Sequence, residues 1–244
     1  MKKNKMMRIA SVLLIAVLMT TCAISGTFAK YVTSDNGADT ARVAKWGVTV
    51  EIANDLNLFN ETYAITDTTV ENTNITNSVA VNTAGTNLVA PGTNNSITFT
   101  ITGTPEVAVD VAIAMTVTSD VIIPANTDIK QGNPNDTDET TANVLAADYT
   151  PVVFTLTEAG SNTPIASGTL TQIEAALEEL SAEYAPNTNL AKTYTLAWEW
   201  AFSGTNTNDA ADTYLGNVAA GTVTDANTST AINFEFSITV TQID

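Results

Sequence analysis

From Val107 to Val117 every second residue is a large apolar one: Val107, Val109, Val111, Ile113, Met115 and Val117. Period two puts all six on one face of a strand, whereas a helix would scatter them around its axis. The pattern recurs along the chain. Trp46, Val48, Val50 and Ile52 form one such set, and Ile97, Phe99 and Ile101 form another, opposite Ser96, Thr98, Thr100 and Thr102. Tyr194, Leu196, Trp198, Trp200 and Phe202 make a third, and Ile232, Phe234, Phe236, Ile238 and Val240 a fourth. Weaker strands are expected at residues 63–66, 78–81, 87–90 and 152–157. Strands that are apolar on one face need a second layer to bury that face. The chain is therefore expected to be all-β, a jelly-roll-like β-sandwich.

One segment departs from period two. LTQIEAALEELSAEY carries Ile173, Leu177, Leu180 and Tyr184 at helical spacing, with Thr171 and Glu174 as a capping box and Pro186 as a stop. It predicts one amphipathic helix over about 171–185, packed on the sheets. Two polar stretches, residues 126–143 and 203–212, read as loops between strong strands.

The N-terminus differs in kind. Lys2, Lys3, Lys5 and Arg8 precede an apolar run from Ile9 to about Thr21, and small residues follow up to Ala29. These are the parts of a secretory signal peptide, and the run is shorter than a membrane span needs. The expected cut lies between Ala29 and Lys30. The expected organisation is a signal peptide over 1–29, an extended N-terminal segment over 30–44 and a single β-sandwich domain over 45–244. The cut removes four cations and no acid, leaving five cations against 26 acids, a net charge of −21 where the whole chain carries −17. Such a field repels nucleic acid and anionic membranes, so neither is an expected partner after processing. The one cysteine, Cys22, leaves with the signal, so no disulfide is expected in the exported protein.

Catalytic chemistry finds little to work with. The chain has no histidine, which removes Ser-His and Cys-His triads and HExxH zinc motifs. Glu178 and Glu179 are adjacent, and Asp110, Glu199 and Glu235 fall on the polar sides of their strands, so nothing singles out a catalytic carboxylate pair. Hard-cation chemistry is better served. Asp128, Asn133, Asn135, Asp136, Asp138 and Glu139 crowd one loop, and Asn208, Asp209 and Asp212 another. The first loop lacks the DxDxDG order of an EF-hand, and a solvated acidic loop is the simpler reading. A weak calcium site at Asp128, Asp136, Asp138 and Glu139 is the alternative, and no other cofactor is expected. Five sequons, at Asn60, Asn74, Asn94, Asn135 and Asn227, follow from a Thr- and Asn-rich composition.

Three stretches carry a resemblance. GTFA followed by KYVTSDNGADTARVAKWGV resembles the processing region of the TasA and camelysin family of secreted Gram-positive proteins. APGTNNSITFTITGTPEVAVDVAIAM is similar to that family's PG turn and the two strands after it. YTLAWEWAFSGTNTNDAADTYLGN resembles the W-x-W-x-F…DT-x-LG block of clostridial members. The resemblance implies trimming by a dedicated signal peptidase, and a jelly-roll subunit that polymerises head to tail into extracellular fibres of the biofilm matrix or cell surface. It implies that the N-terminal segment, here Lys30, Tyr31, Val32 and on to Val43, adds a strand to the next subunit. Other matrix or cell-wall components are further expected partners. Camelysin is described as a cell-surface metalloprotease, an activity that a chain without histidine supports poorly. That protease reading and a monomeric adhesin or carbohydrate-binding module are the alternatives to a fibre subunit.

Overall fold

A computed structural model describes residues 10–17, 42–64, 79–82, 85–130, 143–202 and 208–243. The chain divides into two units, Met1–Val43 and Ala44–Asp244. In the first, residues 10–17 form helix α1. No helix among the described residues is long and apolar enough to cross a membrane.

The second unit is built on antiparallel strands: β1 (Val48–Ile52), β2 (Thr62–Tyr63), β3 (Val79–Ala80), β4 (Thr93–Gly103), β5 (Val109–Ser119), β6 (Val152–Glu158) and β7 (Ala166–Gly168). Helix α2 (Leu170–Glu178) and β8 (Ala182–Tyr184) follow, then β9 (Leu190–Trp200), helix α3 (Asp209–Ala219) and β10 (Asn233–Gln242). One sheet has the order β1-β4-β9-β6-β7, a second β10-β5-β8, and β2 pairs with β3. The first two sheets bury their apolar faces in one cluster that includes Ile97, Phe99, Ile113, Phe154, Leu196 and Trp198. Rings meet across the layers: Phe99 of β4 lies 5.2 Å from Phe236 of β10. The expected period-two strands are these strands, and the expected strand over 152–157 is β6. Residues 65–66 and 78 lie outside the described residues. Leu88, expected in a strand, makes only an isolated bridge to Asn60.

Four expectations are corrected. The helix runs from Leu170 to Glu178 only, and residues 182–184 are strand β8, paired with Val109–Val111. Leu180, Ala182 and Tyr184 fit period two as well as a helical stripe, and the open edge of β5 decides between them. Ser181 marks the break, its hydroxyl accepting the Ile113 N–H (2.9 Å) and donating to the Ile113 carbonyl (3.3 Å). The helix cap sits at Thr169, whose N–H donates to Gln172 Oε1 (2.9 Å), rather than at Thr171 and Glu174. The folded unit also has a second helix, α3, where residues 203–212 read as loop. Asn208 caps it by accepting the Ala211 N–H (3.2 Å), and Ala211, Tyr214 and Leu215 bury its inner stripe. Finally, Phe202 lies beyond the end of β9 and is 51% exposed, and Trp46 lies before β1 and is 42% exposed.

The Trp46 departure has a backbone cause. Gly47 takes φ +64°, which turns the chain out of the extended alternation just before β1. Gly103, the register partner of Val48, takes φ +135°, and a Cβ there would drive into the Gly47 carbonyl oxygen. Gly103→Ala is expected to destabilise the unit by about 2–3 kcal/mol, since it combines a strained φ with a backbone clash. Urea unfolding checks this, and a neutral result would mean that the β1–β4 end can splay open without loss.

Candidate functional site

Of the residues expected to form the strand-donor segment, Lys30, Tyr31 and Val32 lie outside the described residues, as does Ala29. Val43 is described and is 92% exposed. Regular pairing of the second unit begins two residues later. Lys45 N–H donates to the Glu106 carboxylate (2.8 Å), the Glu106 N–H donates to the Lys45 carbonyl (2.9 Å), and the Thr104 N–H donates to the Gly47 carbonyl (3.1 Å). Sixty-one residues separate Lys45 from Glu106, so no local signal could have found this clamp. Residues from Lys45 onward are thus held by the sheet.

Two sheets end in strands with one neighbour each. Among the described residues, β1 pairs only with β4, and β10 only with β5, over the ten residues from Asn233 to Gln242. The inward side chains of β10, Phe234, Phe236, Ile238 and Val240, alternate with exposed Glu235, Ser237, Thr239 and Thr241, and are themselves only half-buried.

The acidic loops resolve differently. Asp136, Asp138 and Glu139 lie outside the described residues. Asp128 spends one carboxylate oxygen on the N–H groups of Lys130 and Asn143, both at 3.1 Å, and so ties the two ends of the loop together. Among the described residues, no group of three or more potential ligands could hold a metal ion. In the second loop, Asn208 is the α3 cap, and Asp212 accepts the Tyr149 hydroxyl (2.6 Å). Of the other carboxylates, Glu178, Glu179, Glu199 and Glu235 are exposed, and Asp110 stands opposite Glu183 across the β5–β8 register.

Two carboxylates act as internal anchors. Asp120, just past β5, accepts the Val121 N–H (2.8 Å) and the Leu170 N–H (3.2 Å), joining the first turn of α2 to the end of a strand fifty residues away. Burial pushes its pKa up, and these N–H bonds pull the other way. Burial likewise raises Asp212, against the Tyr149 hydrogen bond. The Trp200 indole N–H also favours the Asp212 charge, although it falls outside strict hydrogen-bond geometry. Burial and the neighbouring carboxylate raise Tyr149 in turn. Asp225 is the opposite case: the Thr228 hydroxyl (2.6 Å), the Asn227 N–H and the Tyr214 hydroxyl hold it below its ordinary value.

These directions set a pH dependence. Asp120 and Asp212 bind protons more tightly folded than unfolded. Each therefore adds stability below the ordinary carboxylate range and loses that addition as pH rises through the raised folded value. Asp225 adds stability above its ordinary value and loses it only as pH falls through the lowered one. Thermal midpoints are expected to rise as pH falls from neutral toward the ordinary carboxylate range near 4, helped by relief of the net negative charge. Asp212→Asn should flatten the rise. A midpoint that falls steadily over that interval would contradict the assignment.

The chain matches no family model and no curated protein.

Proposed function

We propose that the protein is exported, cut between Ala29 and Lys30, and serves as a structural subunit of an extracellular fibre of the biofilm matrix or cell surface. Subunits join head to tail, the segment 30–44 of one adding a strand to a sheet of the next. Such a heterologous contact propagates as a filament when its rotation does not close a ring.

The observation that carries the reading is the mismatch between where the mature chain would begin and where its sheet begins. Among the described residues, pairing of the folded unit starts at Lys45, fifteen residues after Lys30, and its apolar cluster starts at Val48. On this reading the residues before that start are available for another use. The resemblance of residues 26–48 to the processing region of fibre-forming proteins supports that use. A jelly-roll topology fits the same reading, since the chain crosses between layers from β4 to β5 and back to β6, and β9 inserts between β4 and β6.

Both alternatives find less support. A sugar-gripping module built on β9 would present its tryptophans, yet Trp198 and Trp200 are 2% and 5% exposed. A metalloprotease would have to build its site without histidine.

The test is negative-stain microscopy and light scattering on the chain that begins at Lys30. Filaments that lengthen with concentration are expected. A stable monomer under all conditions, with measurable glycan affinity, would overturn the reading in favour of a binding module.

A further inference from the structure

The β1-β4-β9-β6-β7 sheet has two unlike faces. Ile97 and Phe99 of β4, Leu196 and Trp198 of β9 and Phe154 of β6 point into the core. The residues between them point outward and are half-buried or exposed. Nearly all of these carry a hydroxyl, and the register aligns them across the sheet. Thr98, Thr195 and Thr157 form one row. Ser96, Ala197, Thr155 and Ser167 form the next. Thr100 and Thr193 continue the array on the other side of the first row. Neighbouring hydroxyls meet, Thr98 Oγ1 at 3.3 Å from Thr195 Oγ1 and Thr155 Oγ1 at 3.2 Å from Ser167 Oγ. Threonine is stiff at χ1, and these pairs restrain it further, so a partner would have little side-chain freedom left to freeze.

The charge of the chain lies elsewhere. Residues 30–45 sum to +1 and residues 46–244 to −22, with 24 acids against Lys130 and Lys192. On the outward side of these five strands the only acids are Glu51 and Glu199. Both are peripheral, Glu51 on the edge strand β1 and Glu199 one residue from the end of β9. Glu158 of β6 belongs to the other side, where Lys192 holds it at 2.8 Å. Two bodies this acidic repel each other. Across this face they can meet with no carboxylate in the middle of the contact, and the two glutamates stay at its rim in water.

We infer that the outer face of the β1-β4-β9-β6-β7 sheet stacks on the same face of a second copy, and that this contact joins filaments side by side. It rests on the fibre reading above and is separate from the head-to-tail joint that builds each filament. Four strands across and eight residues along give a face of about 19 Å by 27 Å, so about 1,000 Å² would be buried over both copies. That area belongs to weak contacts. Two lone subunits therefore stay apart, whereas two filaments repeat the contact at every subunit and hold by its multiplicity. Salt favours the contact. Raising it from about 0.01 M to about 0.15 M shortens the Debye length from about 30 Å to about 8 Å, which screens the bodies and leaves the uncharged face unaffected.

The test uses chains that begin at Lys30, assembled at those two salt concentrations. Low-speed centrifugation pellets bundles and leaves single filaments in solution, and negative-stain microscopy counts both. Unsubstituted filaments should stay single at the lower salt and bundle at the higher. Thr195→Glu, in the middle row, should reduce the pellet about ten-fold at the higher salt while filaments still form, because it sets like charges against each other. Thr155→Glu, in the next row, gives the same reading should Thr195→Glu fail to fold. Ala114→Glu puts the same charge on the outer face of the other layer, where Ala114 is exposed opposite Ser237, and should leave the pellet unchanged. Filaments of Thr195→Lys mixed with filaments of Thr195→Glu should bundle again, which a folding defect would not allow.

Bundles that survive both face substitutions would overturn the inference, as would filaments that stay single at every salt concentration. Equal losses for Thr195→Glu and Ala114→Glu would reduce the effect to net charge and overturn it too. So would a mixture of the lysine and glutamate variants that stays dispersed. In each of these cases filaments form and the fibre reading stands. If the unsubstituted chain forms no filaments at all, the fibre reading fails, and this inference fails with it.

Discussion

Trp198→Ala is expected to cost about 3–5 kcal/mol, roughly a fifth or more of the stability of an ordinary domain. The indole is 2% exposed, on the inner face of β9 between Asn95 of β4 and Phe154 of β6 in the register. It packs against Phe59 at 5.3 Å and meets Tyr63 edge-on at 5.8 Å. Its N–H donates to the Leu58 carbonyl (2.9 Å), a buried bond that spans 140 residues of sequence. Truncation would therefore open a large cavity, leave the Leu58 carbonyl without this donor and release the irregular segment from Leu56 to Tyr63. Tyr63 depends on the same placement, its hydroxyl accepting the Asn60 N–H and donating to the Leu88 carbonyl. Trp198→Phe keeps most of the packing and loses the hydrogen bond, so its cost should be smaller, about 1–3 kcal/mol. Urea unfolding followed by circular dichroism measures both. A loss below about 1 kcal/mol for the alanine variant would mean that the core collapses around the gap far better than its packing implies.

Deleting residues 30–42 from the mature chain should abolish polymerisation and leave the unfolding midpoint of the monomer within a degree or two. The reason is a division of labour. Among the described residues the buried cluster begins at Val48 and the sheet clamp at Lys45, both beyond the deleted segment. What it removes is the extended backbone that an open edge on a neighbour would bind. Since that pairing is mainly through backbone, Asp35→Ala should change assembly little. Val32→Pro should slow it at least ten-fold, by removing a ladder donor and restricting the preceding residue. A peptide covering residues 30–44 should slow growth by occupying free acceptor edges. Light scattering and negative-stain microscopy read all three. Polymerisation of the truncated chain at the rate of the intact one would place the fibre contact elsewhere on the sandwich.

What the chain declares locally, the fold honours. The alternations at Ile97–Ile101, Val107–Val117, Tyr194–Trp200 and Phe234–Val240 are β4, β5, β9 and β10, because period two needs only adjacent residues to be read. The charge contrast between residues 30–45 and the remainder is equally plain in the sequence. Other features had two local readings, and contacts far along the chain decided between them. Leu180 and Tyr184 suit a helix or a strand, and β8 forms because β5 offers an edge seventy residues earlier. Trp46 continues an alternation that the left-handed Gly47 ends, against Gly103. Asp212 looked like part of an oxygen-rich loop until Tyr149 and the α3 cap gave it internal partners. The place of β10 was the least legible, because its register with β5 joins residues more than a hundred positions apart. Sequence alone determined which residues want a sheet and which face they bury, since that follows from each side chain and its near neighbours. Tertiary structure alone decided which strands end a sheet among the described residues, since that is a property of what stands beside each strand.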